Sequence, residues 1–133
     1  MNLEQAIHQR WAAAGTLSAL LPAEKLRTGL ARGLGLPYAV LTRKAGRNVF
    51  RSSGGQALDE VILAVHVWHE EYDAGRAIVR EIKAAFDNGD FSLPDGPRAV
   101  AMRWTGEAAP HYDGKAWRFE LEFLVQVDLP SGA

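Results

Sequence analysis

The sequence contains no cysteine, which excludes disulfide bridges and thiolate metal sites and leaves packing and hydrogen bonds to hold any fold together. It also lacks a run approaching the roughly 18 apolar residues that cross a bilayer as a helix. Residues 1–21 carry Glu4 and Arg10 where a secretory signal would have its basic start and apolar run. These absences predict a soluble chain assembled inside a cell, with no membrane partner. A Gly-x-Ser-x-Gly elbow is missing. So is a phosphate loop, because Gly29, Gly33 and Gly35 precede no Lys-Ser or Lys-Thr pair and open no strong helix. Net charge is nearly absent at −1 and names no partner class by itself.

What is present suits one domain over residues 1–133, long enough to bury a core without staples. The charge is unevenly spread. Residues 25–58 hold seven basic side chains (Lys25, Arg27, Arg32, Arg43, Lys44, Arg47, Arg51) and no acidic one. Of the 15 Lys and Arg, eight are left to face all 16 Asp and Glu elsewhere, a balance of −8.

The most patterned stretch is residues 58–86. Val61, Leu63, Val65 and Val67 alternate there with Ile62, Ala64, His66 and Trp68, so both faces of the predicted strand are largely apolar and it belongs inside a sheet. Asp73 then offers a cap for a helix whose Ile78, Val79, Ile82, Ala85 and Phe86 share one stripe, with Asn88-Gly89 as a left-handed stop. Upstream, Asn2 caps a predicted helix carrying Leu3, Ile7, Trp11 and Ala14; Gly15 interrupts it, and a short further turn runs to Pro22.

Residues 25–31 read as a short strand and residues 38–42 as another entering a hairpin. Residues 43–57, rich in Gly, Ser and Arg, read as a long, partly mobile β-arm. Residues 91–97 and 106–114 read as loops around a strand at 98–105. The last strand sets Trp117, Phe119, Leu121, Phe123, Val125 and Val127 against Arg118, Glu120, Glu122, Gln126 and Asp128, one dry face and one wet. The expected fold class is α+β: an antiparallel four- to five-stranded sheet, two main helices on one face, and the long β-hairpin arm.

Candidate chemistry is sparse. His66 and His69 invite a metal, but three residues apart on a strand they point to opposite faces and cannot chelate one ion. Glu120 and Glu122 share a strand face, where a solvated or partner-facing surface explains them better than paired acid–base carboxylates. The expectation is therefore no catalytic residue, no cofactor and no metal. Arg43, Lys44, Arg47 and Arg51, with Phe50 as a stacking group, form the one feature with further content. Three readings stay open for this arm: contact with a nucleic acid backbone, a head-to-tail contact with the acidic body of a neighbouring copy, or a solvated hairpin.

Several apolar runs together resemble a known family. These are residues 36–40 (Leu-Pro-Tyr-Ala-Val), the strand of residues 61–68 leading through Tyr72-Asp73 into Ala77, Ile78, Val79 and Ile82, and residues 117–123. They are similar to the tail completion, or tail terminator, proteins of long-tailed phages, and the likeness extends over nearly the whole chain. The resemblance implies an α+β subunit that assembles as a ring, commonly a hexamer, caps the tail tube, halts its polymerisation and presents a surface for joining the head. Implied partners are the chain itself, the major tail tube protein, the head-tail connector protein and DNA passing through the lumen. Implied too is a place in the tail of a virion or prophage particle, assembled in the host cytoplasm. The two histidines flanking Trp68 and the basic arm depart from the family pattern. From these residues the candidate subunit or partner interface is Arg43, Lys44, Arg47, Phe50, Arg51, His66, Trp68, Glu120 and Glu122. The alternative function is a head-tail connector or accessory module that contacts nucleic acid through the arm, and an enzyme using His66 or His69 would require a bound metal.

Overall fold

Alternation of apolar and polar residues in two long strands sets the architecture. The computed structural model of the chain describes residues 3–51, 57–87, 89–92 and 99–129. Its elements run α1 (Leu3–Ala13), α2 (Gly15–Leu20), a 3-10 turn (Ala23–Lys25), β1 (Leu26–Thr28), β2 (Tyr38–Arg51) and β3 (Ala57–His69). There follow α3 (Tyr72–Phe86), β4 (Gly89–Ser92), β5 (Ala99–Glu107), β6 (His111–Tyr112) and β7 (Trp117–Leu129). The sheet order is β1-β2-β3-β7-β5-β4, with β6 also paired to β7. β3 and β7 lie at the centre, in unbroken antiparallel register from Ala57 opposite Leu129 to His69 opposite Trp117.

All three helices cover one face. Beneath them the strands bury Leu41, Val61, Leu63, Val65, Val67, Leu121, Phe123 and Val125, while α3 contributes Ile78, Val79, Ile82 and Phe86 and the N-terminal helices add Leu3, Ile7, Trp11 and Leu17. Trp11 is fully buried, and its indole Nε1–H donates to the Leu21 carbonyl at 2.8 Å. That bond satisfies the polar handle of a large core ring. The Arg10 Nε–H donates to the Ala85 carbonyl at 2.7 Å and ties α1 to the last turn of α3. Where α3 crosses β7, the backbone comes so close that a Cβ built on Gly75 would overlap the Phe119 ring. Glycine is required there by proximity.

Several expectations are corrected. The sheet is mixed, because β1 runs parallel to β2, with Leu26 opposite Ala39. The loop of residues 29–37 brings the chain back to the end of the sheet where β1 starts. Among the described residues seven strands form instead of four or five, because β4 and β6 are short pieces with little periodicity of their own, while β1 falls within the strand expected over residues 25–31. Three helices replace two main ones among the described residues, since the short turn expected before Pro22 is a separate helix, α2, that begins at Gly15. β4 begins at Gly89 and occupies residues that read as stop and loop, and residues 93–98 lie outside the described chain. Asp73 sits in the first turn of α3 while Glu71 holds the cap position without a side-chain cap bond. At the other end Asp87 is extended and its N–H bonds the Lys83 carbonyl; the expected left-handed stop falls on Asn88, which, like Asn2, lies outside the described residues.

The largest correction concerns the arm. Its described residues continue β2 and pair with β3 as far as Arg51 opposite Ala57, with irregularities between Arg43 and Ala45 and between Asn48 and Phe50. Gly46 and the polar residues of this stretch suggest a partly mobile arm when read alone. Their partner strand is apolar from Val61 onward and is itself held along its full length by β7, which supplies a template the local sequence does not announce. Residues 52–56 of the expected arm lie outside the described residues.

Candidate functional site

The face opposite the helices carries the other half of each alternation, and the register aligns it into rows. Tyr38, Trp68, Arg118 and His111 form one row. Arg27, Val40, His66 and Glu120 form the next, followed by Thr42, Ala64 and Glu122. Beyond the first bulge come Ala45, Ile62, Leu124 and Arg103, then Arg47, Glu60, Gln126 and Ala101. No described helix lies over these rows. Ala64 is buried, Ile62, His66 and Trp68 are half-buried, and Arg118 is exposed.

One end of this face is aromatic. Trp68 stacks on Tyr38 at a centroid distance of 5.0 Å and 23° between planes, and on His66 at 5.8 Å and 27°. The three rings floor an open depression of about 290 Å³ whose rim includes Leu30, 62% exposed, and Arg118. His66 Nδ1 lies 3.7 Å from Glu120 Oε1, beyond hydrogen-bond reach, and is buried without a hydrogen-bond partner. Burial holds the imidazole below its ordinary value, and the neighbouring Arg118 and Lys44 push in the same direction while Glu120 opposes them. His66 is therefore neutral at pH 7 and stacks as a ring instead of pairing as a cation.

The middle and far end are charged but internally paired. Lys44 Nζ donates to Glu122 at 2.7 Å and lies 3.7 Å from Glu120. The hydrogen bond to Glu122 holds the Lys44 ammonium above its ordinary value. Arg47 meets Glu60 at 3.0 Å, and Gln126 donates to the other oxygen of the same carboxylate at 3.2 Å. Gln126 first, then Arg47, hold Glu60 below its ordinary value. Arg43 departs from this group. Its register partner is Leu63 on the helix side, and it reaches Glu4 of α1 at 3.0 Å. Ordinary alternation puts Arg43 and Lys44 on opposite sides of the strand, and the bulge between Arg43 and Ala45 then shifts the phase so that Arg47 joins Lys44 on the open face.

Of the residues singled out by sequence, Lys44, Arg47, His66, Trp68, Glu120 and Glu122 thus share the open face, and Arg43 does not. Phe50 pairs with Leu58 and Arg51 with Ala57 through the backbone, while their side chains lie outside the described residues. The basic excess of residues 25–58 is partly cancelled once the chain folds, because Glu4, Glu60 and Glu122 reach Arg43, Arg47 and Lys44 from other elements. His69 faces away from His66: it pairs with Trp117, and its Nδ1 accepts the Glu71 N–H at 3.0 Å. Among the described residues no group of three or more His, Asp or Glu could hold a metal ion. Sequence reasoning missed Tyr38, Arg27 and Arg118 as members of this face. Arg118 was visible on the wet side of the last strand, but only the register puts all three beside Trp68 and His66.

The sequence matches the family model described as tail completion protein gp17 over residues 5–128. No curated protein matches it. Among solved structures, a chain from a virion of native gene transfer agent (GTA) particle is similar, with a TM-score of 0.75 at 18% sequence identity, covering 96% of this chain and 95% of that one. At that identity the likeness speaks for the fold.

Proposed function

This chain belongs to the tail completion protein gp17 family, and from that premise we propose that it assembles into a homo-oligomeric ring, a hexamer, on the end of the tail tube. The family itself makes the chain a structural component of a phage tail or phage-like virion. In the proposed role the ring terminates tube polymerisation and offers the surface to which the head-tail connector joins, while DNA passes through its lumen. Its partners are then further copies of itself, the major tail tube protein and the connector. The place of action is the tail of a virion or prophage particle, assembled in the host cytoplasm.

The observation that carries this reading is the open sheet face. A half-buried stack of Tyr38, Trp68 and His66 lies uncovered by the chain's own helices, and aromatic residues in that state are characteristic of protein interfaces. The described part of the arm lies in the plane of the sheet and does not fold back over these rings. A neighbouring copy is the cover we assign, with Trp68, His66, Lys44, Glu120, Glu122 and Arg47 at or near the contact. Phe50, Arg51 and Arg43 keep a part in it only if the hairpin end is also engaged.

The nucleic-acid reading loses ground on the same geometry. Backbone binding requires uncompensated cations, and Arg43, Lys44 and Arg47 are each engaged by a carboxylate of the same chain. Sedimentation velocity across a concentration series tests the proposal, together with binding to purified tail tubes. A concentration-dependent ring that locates to tube ends is expected. A strict monomer at high concentration, without affinity for tube ends, would overturn it.

A further inference from the structure

The depression over Tyr38, Trp68 and His66 has an electrostatic character that its aromatic floor conceals. Arg118 lines it, and Arg27 stands in the adjacent row beside Val40. Both are exposed, and neither has an ion-pair partner among the described residues. No carboxylate lines the depression. The site therefore fits a knob that brings an apolar or aromatic group together with negative charge.

The chain displays such a knob on its opposite side. Tyr72, at the start of α3, is 42% exposed while packing edge-on against Trp117 at 5.0 Å. It is flanked by Glu70, Glu71 and Asp73, all exposed and without an ion-pair partner among the described residues. Trp117 and Phe119, against which Tyr72 packs, belong to the helix-covered side of β7, whereas Trp68 and Arg118 belong to the open side. One copy cannot use its own knob to fill its own depression.

We propose that the open face receives the Tyr72 knob of a second copy, its acidic flank meeting Arg118 and Arg27 over the Trp68 stack. Because the two surfaces differ, the contact is heterologous and repeats from copy to copy, which is the geometry that closes a ring. The inference rests on the ring reading above and adds which surfaces meet and in what sense. It also accounts for charges on both surfaces that no ion pair among the described residues satisfies.

The test uses two variants of the full chain, Arg118→Glu and a double Glu70→Arg, Glu71→Arg, each checked for native aromatic circular dichroism. Glu71 makes no side-chain cap bond, so its replacement leaves α3 without a lost hydrogen bond. Each variant alone is expected to associate at least about tenfold more weakly than the parent chain, as charge reversal at a desolvated contact requires. Mixed in equal amounts, they restore the ring with the two variants in equal number, since each reversed surface then meets its complement. Arg118→Gln, a milder change, is expected to fall between the parent chain and Arg118→Glu. If either variant alone assembles like the parent, or folded variants fail to rescue one another, this docking is wrong while the ring reading stands. A parent chain that is itself strictly monomeric overturns both.

Discussion

On the helix-covered face of the sheet, Val61, Leu63, Val65 and Val67 are buried against α3 and against the apolar row of β7, and the same strand's other row ends in a Trp68 and a His66 that remain half-exposed. The strand is apolar on both sides, yet the described helices cover one side only. The difference separates two kinds of constraint. The covered face is governed by close packing within one chain, where a single methylene or a Cβ is felt. The open face carries stacked rings and ion pairs, which leave stability little dependent on any one residue and, in the proposed assembly, put their effect into association.

That contrast can be broken or sharpened by substitution. The largest loss of stability is expected for Phe123→Ala, which empties a fully buried site against Phe86 and should cost about 3–5 kcal/mol in denaturant unfolding. A loss below about 1 kcal/mol would mean that the covered face is not the core. Gly75→Ala comes next. The helix gains about 1 kcal/mol of propensity, but overlap with the Phe119 ring costs about 1–3 kcal/mol, so we expect net destabilisation, and a raised melting temperature would refute the close approach of α3 to β7. Trp68→Asp should cost stability only on the scale of the stacking it removes, about 0.5–1.5 kcal/mol, while abolishing assembly. Normal ring formation by this variant counts against Trp68 as a contact residue.

The smallest effect concerns pH. Burial holds the folded His66 below its ordinary value of 6.5, so as pH falls the unfolded chain takes up the proton first. The stability is present above about pH 6.5 and is lost progressively as the pH drops from there through the folded-state value. His8, also held low by burial and then by Arg27, acts in the same direction. His66→Gln should flatten the acid limb of a stability profile while leaving the share due to His8. An unaltered limb would show that the imbalance lies elsewhere.

Much of the covered face was legible because it rests on periodicity. The stripe of α3, the alternation of β3 and the dry row of β7 from Phe119 to Val127 each state which side faces the core. β1 fell within the strand read over residues 25–31, but β4 and β6 were harder. Two to four residues carry no period, and their pairing is decided by strands distant in sequence. For the candidate site, His66, Trp68, Glu120 and Glu122 were legible as one surface through the alternation rule. Arg43 was misplaced with Lys44 and Arg47, because alternation alone sets it apart from Lys44 and a bulge that leaves no mark in the sequence sets it apart from Arg47.

By itself the sequence determined the α+β class, the apolar stripe of the long helix, the facing of the two central strands and the membership that its apolar runs suggest. Those properties follow from local spacing, which a chain carries with it whether or not it is folded. The tertiary structure alone decided that the described arm residues extend β2 within the main sheet, that Arg43, Lys44 and Arg47 are neutralised by Glu4, Glu122 and Glu60, and that Tyr38 and Arg118 stand on either side of Trp68. Each of these depends on register between segments far apart in the chain, and register is set by the whole buried face acting at once.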